Sequence, residues 1–172
     1  MTVASCSITD SSLSPSLALP LLALDIGGKR IGVAVCDKLA ISVRGITCLF
    51  RKDTNWTKQT LKLAADFGCN GIVIGLPRNM DGSEGAQAED CRAAAAELAA
   101  LTTLPLFMQD ERLSSWTAKE RLFAQGLNQK KVREKLDQTA AAVILEDFIA
   151  AHPELRDTGL TDSKASIGGS NA

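Results

Sequence analysis

Acidic residues stand where several hydrophobic elements of the sequence begin or end, and together they could bind a metal ion. Asp25 ends an apolar strand, and the pair Asp110 and Glu111 ends a later one. Asp137 opens the last predicted helix. Carboxylates that converge from separate elements would hold Mg²⁺ or Mn²⁺, which prefer oxygen ligands. Such ions activate water and stabilise the leaving oxygen in phosphodiester cleavage, a mechanism that needs no histidine.

The residues after Asp25 suit a strand end that approaches a ligand. Gly27 and Gly28 allow a tight turn and a close approach of the backbone, and Lys29 and Arg30 add two cations that could contact phosphate. The alternative is a structural acid in a hairpin turn. Such acids usually stand directly before glycine, whereas Asp25 continues the alternation of its strand. A ligand-binding acid is therefore favoured.

The neighbouring acids of the later strand should not act together. Successive side chains of a strand face opposite sides, so one of Asp110 and Glu111 should point towards Asp25. We favour Glu111 for that position, with surface charges at a strand end as the alternative.

Asp137 shares a helix face with Ala141, Ile144 and Phe148, which predicts that it lies on the buried face. A first-turn acid that complements the helix dipole is the simpler alternative, but that role suits an exposed residue better.

Composition excludes several classes of protein. The 172 residues carry a net charge of −1 and 45% hydrophobic residues, which suits one globular domain. The single histidine argues against Ser-His-Asp and Cys-His enzymes. Five cysteines without Cys-x-x-Cys spacing argue against zinc and a disulfide framework, and favour a reduced, cytoplasmic protein. No segment is long and apolar enough to span a membrane.

The order of elements predicts an α/β fold, a mixed five-stranded sheet with helices on both faces. Residues 1–20 and 153–172 are expected to be a disordered extension and a disordered tail around a domain at 21–152. The predicted strands are 21–27, 31–36, 45–50, 71–75 and 104–109, and the predicted helices are 56–67, 84–101, 115–124 and 134–151.

Two further segments could contact nucleic acid. In the polar loop after the fourth predicted strand, Asn79 and Ser83 could bind a phosphate, and Ser83 could also cap the following helix. The basic segment before Asp137 is a candidate clamp for backbone phosphates, with a solvated loop as the alternative. Its cations are Lys130, Lys131, Arg133 and Lys135.

Four motifs together resemble the YqgF/RuvX family of pre-16S rRNA nucleases, which are also described as Holliday-junction-resolvase-like. They occur in the family's order and cover roughly residues 21–151, so the resemblance is specific. The motifs lie at Asp25–Ala34, Gly75–Glu84, Asp110–Ser114 and Asp137–Leu145.

The resemblance implies an RNase H-like nuclease that uses Mg²⁺ or Mn²⁺, with Asp25, Asp137 and the Asp110/Glu111 pair as its acids. It favours pre-rRNA over branched DNA as substrate, in 5′-end maturation of small-subunit rRNA, and allows a ribosomal precursor particle as partner. A non-catalytic nucleic-acid or transcription-associated factor is a further alternative. A sugar kinase or actin-like ATPase, which shares the first motif, would need a second glycine motif and a second domain that this chain lacks.

Overall fold

The computed structural model describes residues 8–10, 17–111 and 129–157, with the backbone only for 8–10, 129–136 and 157. No helix of this part of the chain is both long and apolar enough to cross a bilayer. The strands are β1 (Ile8–Asp10), β2 (Leu22–Ile26), β3 (Arg30–Cys36), β4 (Val43–Phe50), β5 (Ile72–Leu76) and β6 (Leu106–Asp110). The helices are α1 (Trp56–Asp66), α2 (Ala86–Ala99), α3 (Gln129–Ala151) and α4 (Glu154–Asp157).

The strands form one mixed sheet in the order β1-β6-β5-β2-β3-β4. β2, β3 and β4 pair antiparallel, whereas β5 and β6 continue the sheet parallel to β2. The predicted mixed sheet of five strands is thereby confirmed. A sixth strand, β1, pairs parallel with β6 at the edge of the sheet.

Helices cover both faces of the sheet, as predicted. Leu22 and Leu24 belong to a core that packs under α1 and α2, while Leu21 and Ala23 belong to a second core under α3. Because β2 is buried on both faces, its sequence is a nearly continuous apolar run. The same alternation places Asp25 on the α3 face.

The terminal segments contribute more than predicted. β1 lies within the expected extension, and Leu17 and Leu19 are buried in the core under α3. Leu155 of α4, in the expected tail, is buried in the same core. The prediction of a disordered extension and a disordered tail was therefore wrong for these three leucines. Each is an apolar side chain just outside the predicted domain, and the core under α3 buries it. The helix predicted at 115–124 lies outside the described residues.

Two predicted helix starts were wrong. α3 begins at Gln129, so Asp137 lies in its interior and not in its first turn. α2 begins at Ala86 with Gly85 as its N-cap, and no side chain caps it. The Ser83 hydroxyl donates to Asp81 Oδ1 at 2.6 Å instead, so it serves the loop and not the helix.

Glycines allow α3 to approach the sheet closely. A Cβ atom at Gly32 of β3 would collide with the backbone carbonyl of Asp137, and one at Gly45 of β4 would collide with Gln138. In both places a side chain would push the helix away from the sheet. The position of Asp137 therefore depends on the presence of glycine at position 32 of β3.

We expect Gly32→Ala to lower the free energy of unfolding by about 2 kcal/mol or more, because the new methyl group would clash with the backbone of α3, which is fixed by its packing. The matched control is Gly28→Ala, where a Cβ would meet no atom within 4 Å. Urea denaturation of both variants measures the difference. Equal stabilities would show that α3 does not depend on the close approach.

Candidate functional site

The ends of β2, β5 and β6 lie at one edge of the sheet, because these strands are parallel. Asp25 stands near the end of β2, directly opposite Gly32 of β3. On its other side Leu24 pairs with Ile74, so Gly75 of β5 is the next position beside Asp25. Asp25 is thus flanked by glycine on both neighbouring strands, which leaves room around its carboxylate.

Glu111 fills the space on the β5 side. A Cβ atom at Gly75 would collide with Glu111 Oε1, so the carboxylate lies directly over this glycine. Phe107 packs in the core under α3, and alternation carries that direction to Glu111. Asp110 faces the other way, and Arg78 Nη1 lies 3.9 Å from its Oδ2. The structure therefore brings Glu111, and not Asp110, to the face that carries Asp25.

Asp137 lies on the β3 side, above Gly32. Its Oδ2 accepts a hydrogen bond from the Cys48 thiol at 3.6 Å and lies 3.8 Å from Arg30 Nη1. Cys48 belongs to β4 and stands opposite Gly32. The row Gly75, Asp25, Gly32 and Cys48 therefore crosses the sheet beneath Glu111 and Asp137.

The electrostatics show that these acids influence one another. Burial, followed by the charge of Asp137, raises the pKa of Asp25 to about 6. Burial, followed by the charges of Asp25 and Asp110, raises the pKa of Glu111 to about 8. Burial also raises the pKa of Asp137, although its contacts with Cys48 and Arg30 oppose this shift. Fully ionised, the three groups would concentrate negative charge that the surrounding protein compensates only in part.

The donor chemistry of this set fits a divalent cation. Oxygen ligands suit Mg²⁺ and Mn²⁺, and within the described residues the Asp25 carboxylate receives no hydrogen bond and forms no ion pair. In that part of the chain, however, no three His, Cys, Asp or Glu side chains are already arranged to hold a metal ion. Asp25, Glu111 and Asp137 as metal ligands therefore stay a prediction, one that requires the carboxylates to adjust.

Some of the predicted cations and loop residues lie at the end of the sheet that carries Asp25. Lys29 is exposed in the β2–β3 turn, while Arg30 is half-buried beside Asp137. Asn79 and Ser83 are exposed, and the Asn79 amide donates to the Ser83 hydroxyl at 2.9 Å. This hydrogen bond stabilises the conformation of the loop after β5. The contact of these residues with phosphate stays a prediction. The backbone of 129–136 is helical, but the side chains of Lys130, Lys131 and Arg133 lie outside the described residues.

A network of arginines and carboxylates lies beside the site and was not predicted from the sequence. Arg92 donates twice to Glu84 at 2.7 Å, and Arg78 Nη2 lies 3.3 Å from the same carboxylate. Chiefly because of Arg92, the pKa of Glu84 falls to about 2. Arg78 also reaches Asp110, so the network joins the loop after β5 to α2 and to the end of β6. Arg78, Glu84 and Arg92 lie close together in the sequence, but their spacings of six and eight residues follow no single helix or strand period that would have predicted the pairing.

Comparisons with known proteins match most of this chain. A family model described as "RuvX: Holliday junction resolvase" matches residues 20–151. A protein of Synechococcus elongatus named "Putative pre-16S rRNA nuclease" is 38% identical over 81% of this chain and 95% of its own length. One of the same name from Paracoccus denitrificans is 43% identical over 81% of this chain and 87% of its own. A solved structure, Thermus thermophilus RuvC in complex with a Holliday junction substrate, is 15% identical over 77% of this chain and 95% of that chain, with a TM-score of 0.49.

In the presence of a chelator, we expect stability to fall as the pH rises from about 5 to about 8. The folded protein keeps a proton on Glu111 in this window, whereas the unfolded chain, with an ordinary pKa of 4.5, releases it. Glu111→Gln should therefore be the more stable protein at about pH 8, by on the order of 1–3 kcal/mol. Thermal unfolding across this pH range measures the effect.

The exposed Glu97→Gln serves as the control, and it should follow the wild-type profile. A Glu111→Gln profile that runs parallel to wild type would contradict a buried, charge-coupled glutamate.

Proposed function

This chain belongs to the RuvX family, and on that premise we propose that it is a cation-dependent nuclease that cuts the precursor of 16S rRNA during maturation of its 5′ end. Its RNase H-like α/β fold presents Asp25, Glu111 and Asp137 at one edge of the sheet. The observation that carries the proposal is this carboxylate cluster, whose mutual repulsion a divalent cation would relieve. The names of relatives in Synechococcus elongatus and Paracoccus denitrificans support the RNA substrate.

Each acid would contribute differently to holding Mg²⁺ or Mn²⁺. Asp25, with glycine on both sides, would be the central ligand, and Glu111 and Asp137 would approach from the β5 and β3 sides. A bound cation would supply an activated water and stabilise the charge that develops on the leaving oxygen. Asp110, held towards Arg78, would act on Glu111 through its charge and not as a ligand.

The cations at the same edge would orient the nucleic acid. Lys29 is exposed in the β2–β3 turn, shortly after Asp25 in the sequence, and would be available to a backbone phosphate. Arg30 would divide its charge between Asp137 and a phosphate. The loop with Asn79 and Ser83, and the basic residues Lys130, Lys131 and Arg133, would extend the contact along the strand. We propose that the RNA is met in the cytoplasm as part of a ribosomal precursor particle.

Branched DNA is the second candidate substrate, because the matching family model is described as a Holliday junction resolvase. Both substrates require the same cation chemistry, and shape contacts decide between them. Purified protein should be incubated with a small-subunit rRNA precursor and with a synthetic four-way junction, under the same Mn²⁺ concentration. Preferential cleavage of the precursor at its 5′ end supports the proposal, whereas symmetric cleavage of the junction supports the alternative. Binding without cleavage of either would indicate a non-catalytic factor.

Asp25→Asn should abolish cleavage and leave the fold intact, because it removes one of the charges that attract the cation while keeping the size of the side chain. Excess EDTA should do the same to the wild type. Asp110→Asn is the matched comparison, and it should retain activity because Asp110 faces Arg78. Product formation on a labelled substrate is the measurement. Full activity of Asp25→Asn, or of the wild type in EDTA, would refute the mechanism.

Lys29→Ala should weaken nucleic-acid binding without removing cleavage at saturating substrate, because a phosphate contact is lost and no cation ligand is. Each lost contact should flatten the plot of log affinity against log salt concentration by about 0.7–0.9. Lys38→Ala is the control, since Lys38 is also exposed but lies in the β3–β4 turn, at the opposite end of the strands. Fluorescence anisotropy at several salt concentrations measures both slopes. Identical slopes for the two variants would place Lys29 outside the interface.

A further inference from the structure

The two oxygens of the Asp137 carboxylate have different surroundings. Oδ2 accepts the hydrogen bond of the Cys48 thiol at 3.6 Å and also faces Arg30 Nη1 at 3.8 Å. Oδ1 has no hydrogen bond or ion pair with any residue that the structure describes. One oxygen is therefore held by the protein, and the other is left for a ligand.

Cys48 is placed for this contact by the register of the sheet. It pairs with Gly32, which in turn pairs with Asp25 on the next strand. Since Gly32 has no side chain, Asp137 comes down between these strands and meets the thiol directly. The half-buried thiol has one proton to donate and two acceptors within reach, Asp137 Oδ2 at 3.6 Å and the Leu49 carbonyl at 3.9 Å. The carboxylate oxygen is the nearer of the two and carries the greater negative charge, so it is the favoured acceptor.

The other described cysteines do not share this arrangement. Cys36 exchanges hydrogen bonds with the backbone of Leu21, and Cys91 donates to the carbonyl of Ile26. Both are buried in apolar cores, whereas Cys48 is the described cysteine whose thiol donates to a carboxylate. The contact is thus specific to the candidate site and is not a general feature of cysteine in this fold.

We propose that Cys48 is a positioning residue, which anchors Oδ2 of Asp137 and so presents Oδ1 to the divalent cation. The inference rests on the proposed function, because it needs Asp137 to be a cation ligand. Groups that hydrogen-bond to metal-ligating side chains fix their orientation, and losing one typically weakens metal affinity 10–100-fold. Arg30 acts on the same oxygen, but a contact of 3.8 Å supplies charge and little direction.

The test measures Mn²⁺ binding to the full chain by isothermal titration calorimetry, without nucleic acid. Cys48→Val keeps the approximate size of the side chain and removes the donor, whereas Cys48→Ser keeps a donor. We expect about tenfold weaker Mn²⁺ binding for Cys48→Val, and wild-type affinity within a few-fold for Cys48→Ser. Cys69→Ala is the control, since Cys69 lies before β5 at the opposite end of the sheet and should leave the affinity unchanged.

The outcomes separate the inference from the function beneath it. If wild type binds Mn²⁺ in an Asp25-dependent manner and Cys48→Val binds equally well, the positioning role is wrong and the proposed function stands. If Cys48→Val and Cys48→Ser weaken Mn²⁺ binding equally, Cys48 acts by packing and not as a donor, which also overturns the inference. If wild type shows no Asp25-dependent binding, both fail together. Thermal unfolding of every variant confirms that the measured proteins are folded.

Discussion

The candidate site depends on two glycines, Gly32 and Gly75, which leave the sheet without a side chain on either side of Asp25. Asp25 has a glycine beside it on each neighbouring strand, and those glycines admit Glu111 from one side and α3 from the other. Any larger residue at Gly32 would move the helix, and with it Asp137. Because interiors are packed as densely as crystals, such a displacement cannot be absorbed locally. The cluster of like charges is therefore maintained by the apolar core under α3, which holds this helix against the sheet despite the repulsion between the acids.

The acids at this edge fall into two groups by how their charge is balanced. Asp90 pairs with Arg51 at 2.8 Å, and Glu84 is shared by Arg78 and Arg92. Asp25 has no such partner in the described residues. The arginine pairs join α2 and the loop after β5 to the strand ends, so they stabilise the edge without neutralising its centre. Pairing at the periphery leaves Asp25 without a counter-charge among the described residues, as the proposed cation site requires.

The sequence predicted the strands of the mixed sheet well, because buried parallel strands are continuous apolar runs and alternation is a local property. The same alternation predicted that only one of Asp110 and Glu111 would face Asp25, and the two residues do face opposite sides. The start of α3 was harder to predict from the sequence, because the polar, basic first part of this helix resembles a loop. The roles of Cys48 and Arg78 could not be predicted, since they follow from strand register and from contacts between residues far apart in the chain.

The sixth strand has a consequence for how the protein behaves when concentrated. Unpaired strands at the border of a sheet offer backbone groups to neighbouring molecules and promote aggregation. Here β1 pairs with β6 along Leu106–Met108, and the family match begins only at residue 20. At the other border, the pairing of β3 with β4 is interrupted by a shift in register after Val33. A strand of three residues outside the family's matched range thus replaces β6 as one border of the sheet, and so short a strand offers few backbone groups to a second molecule. The irregular strand at the other border is likewise a poor template.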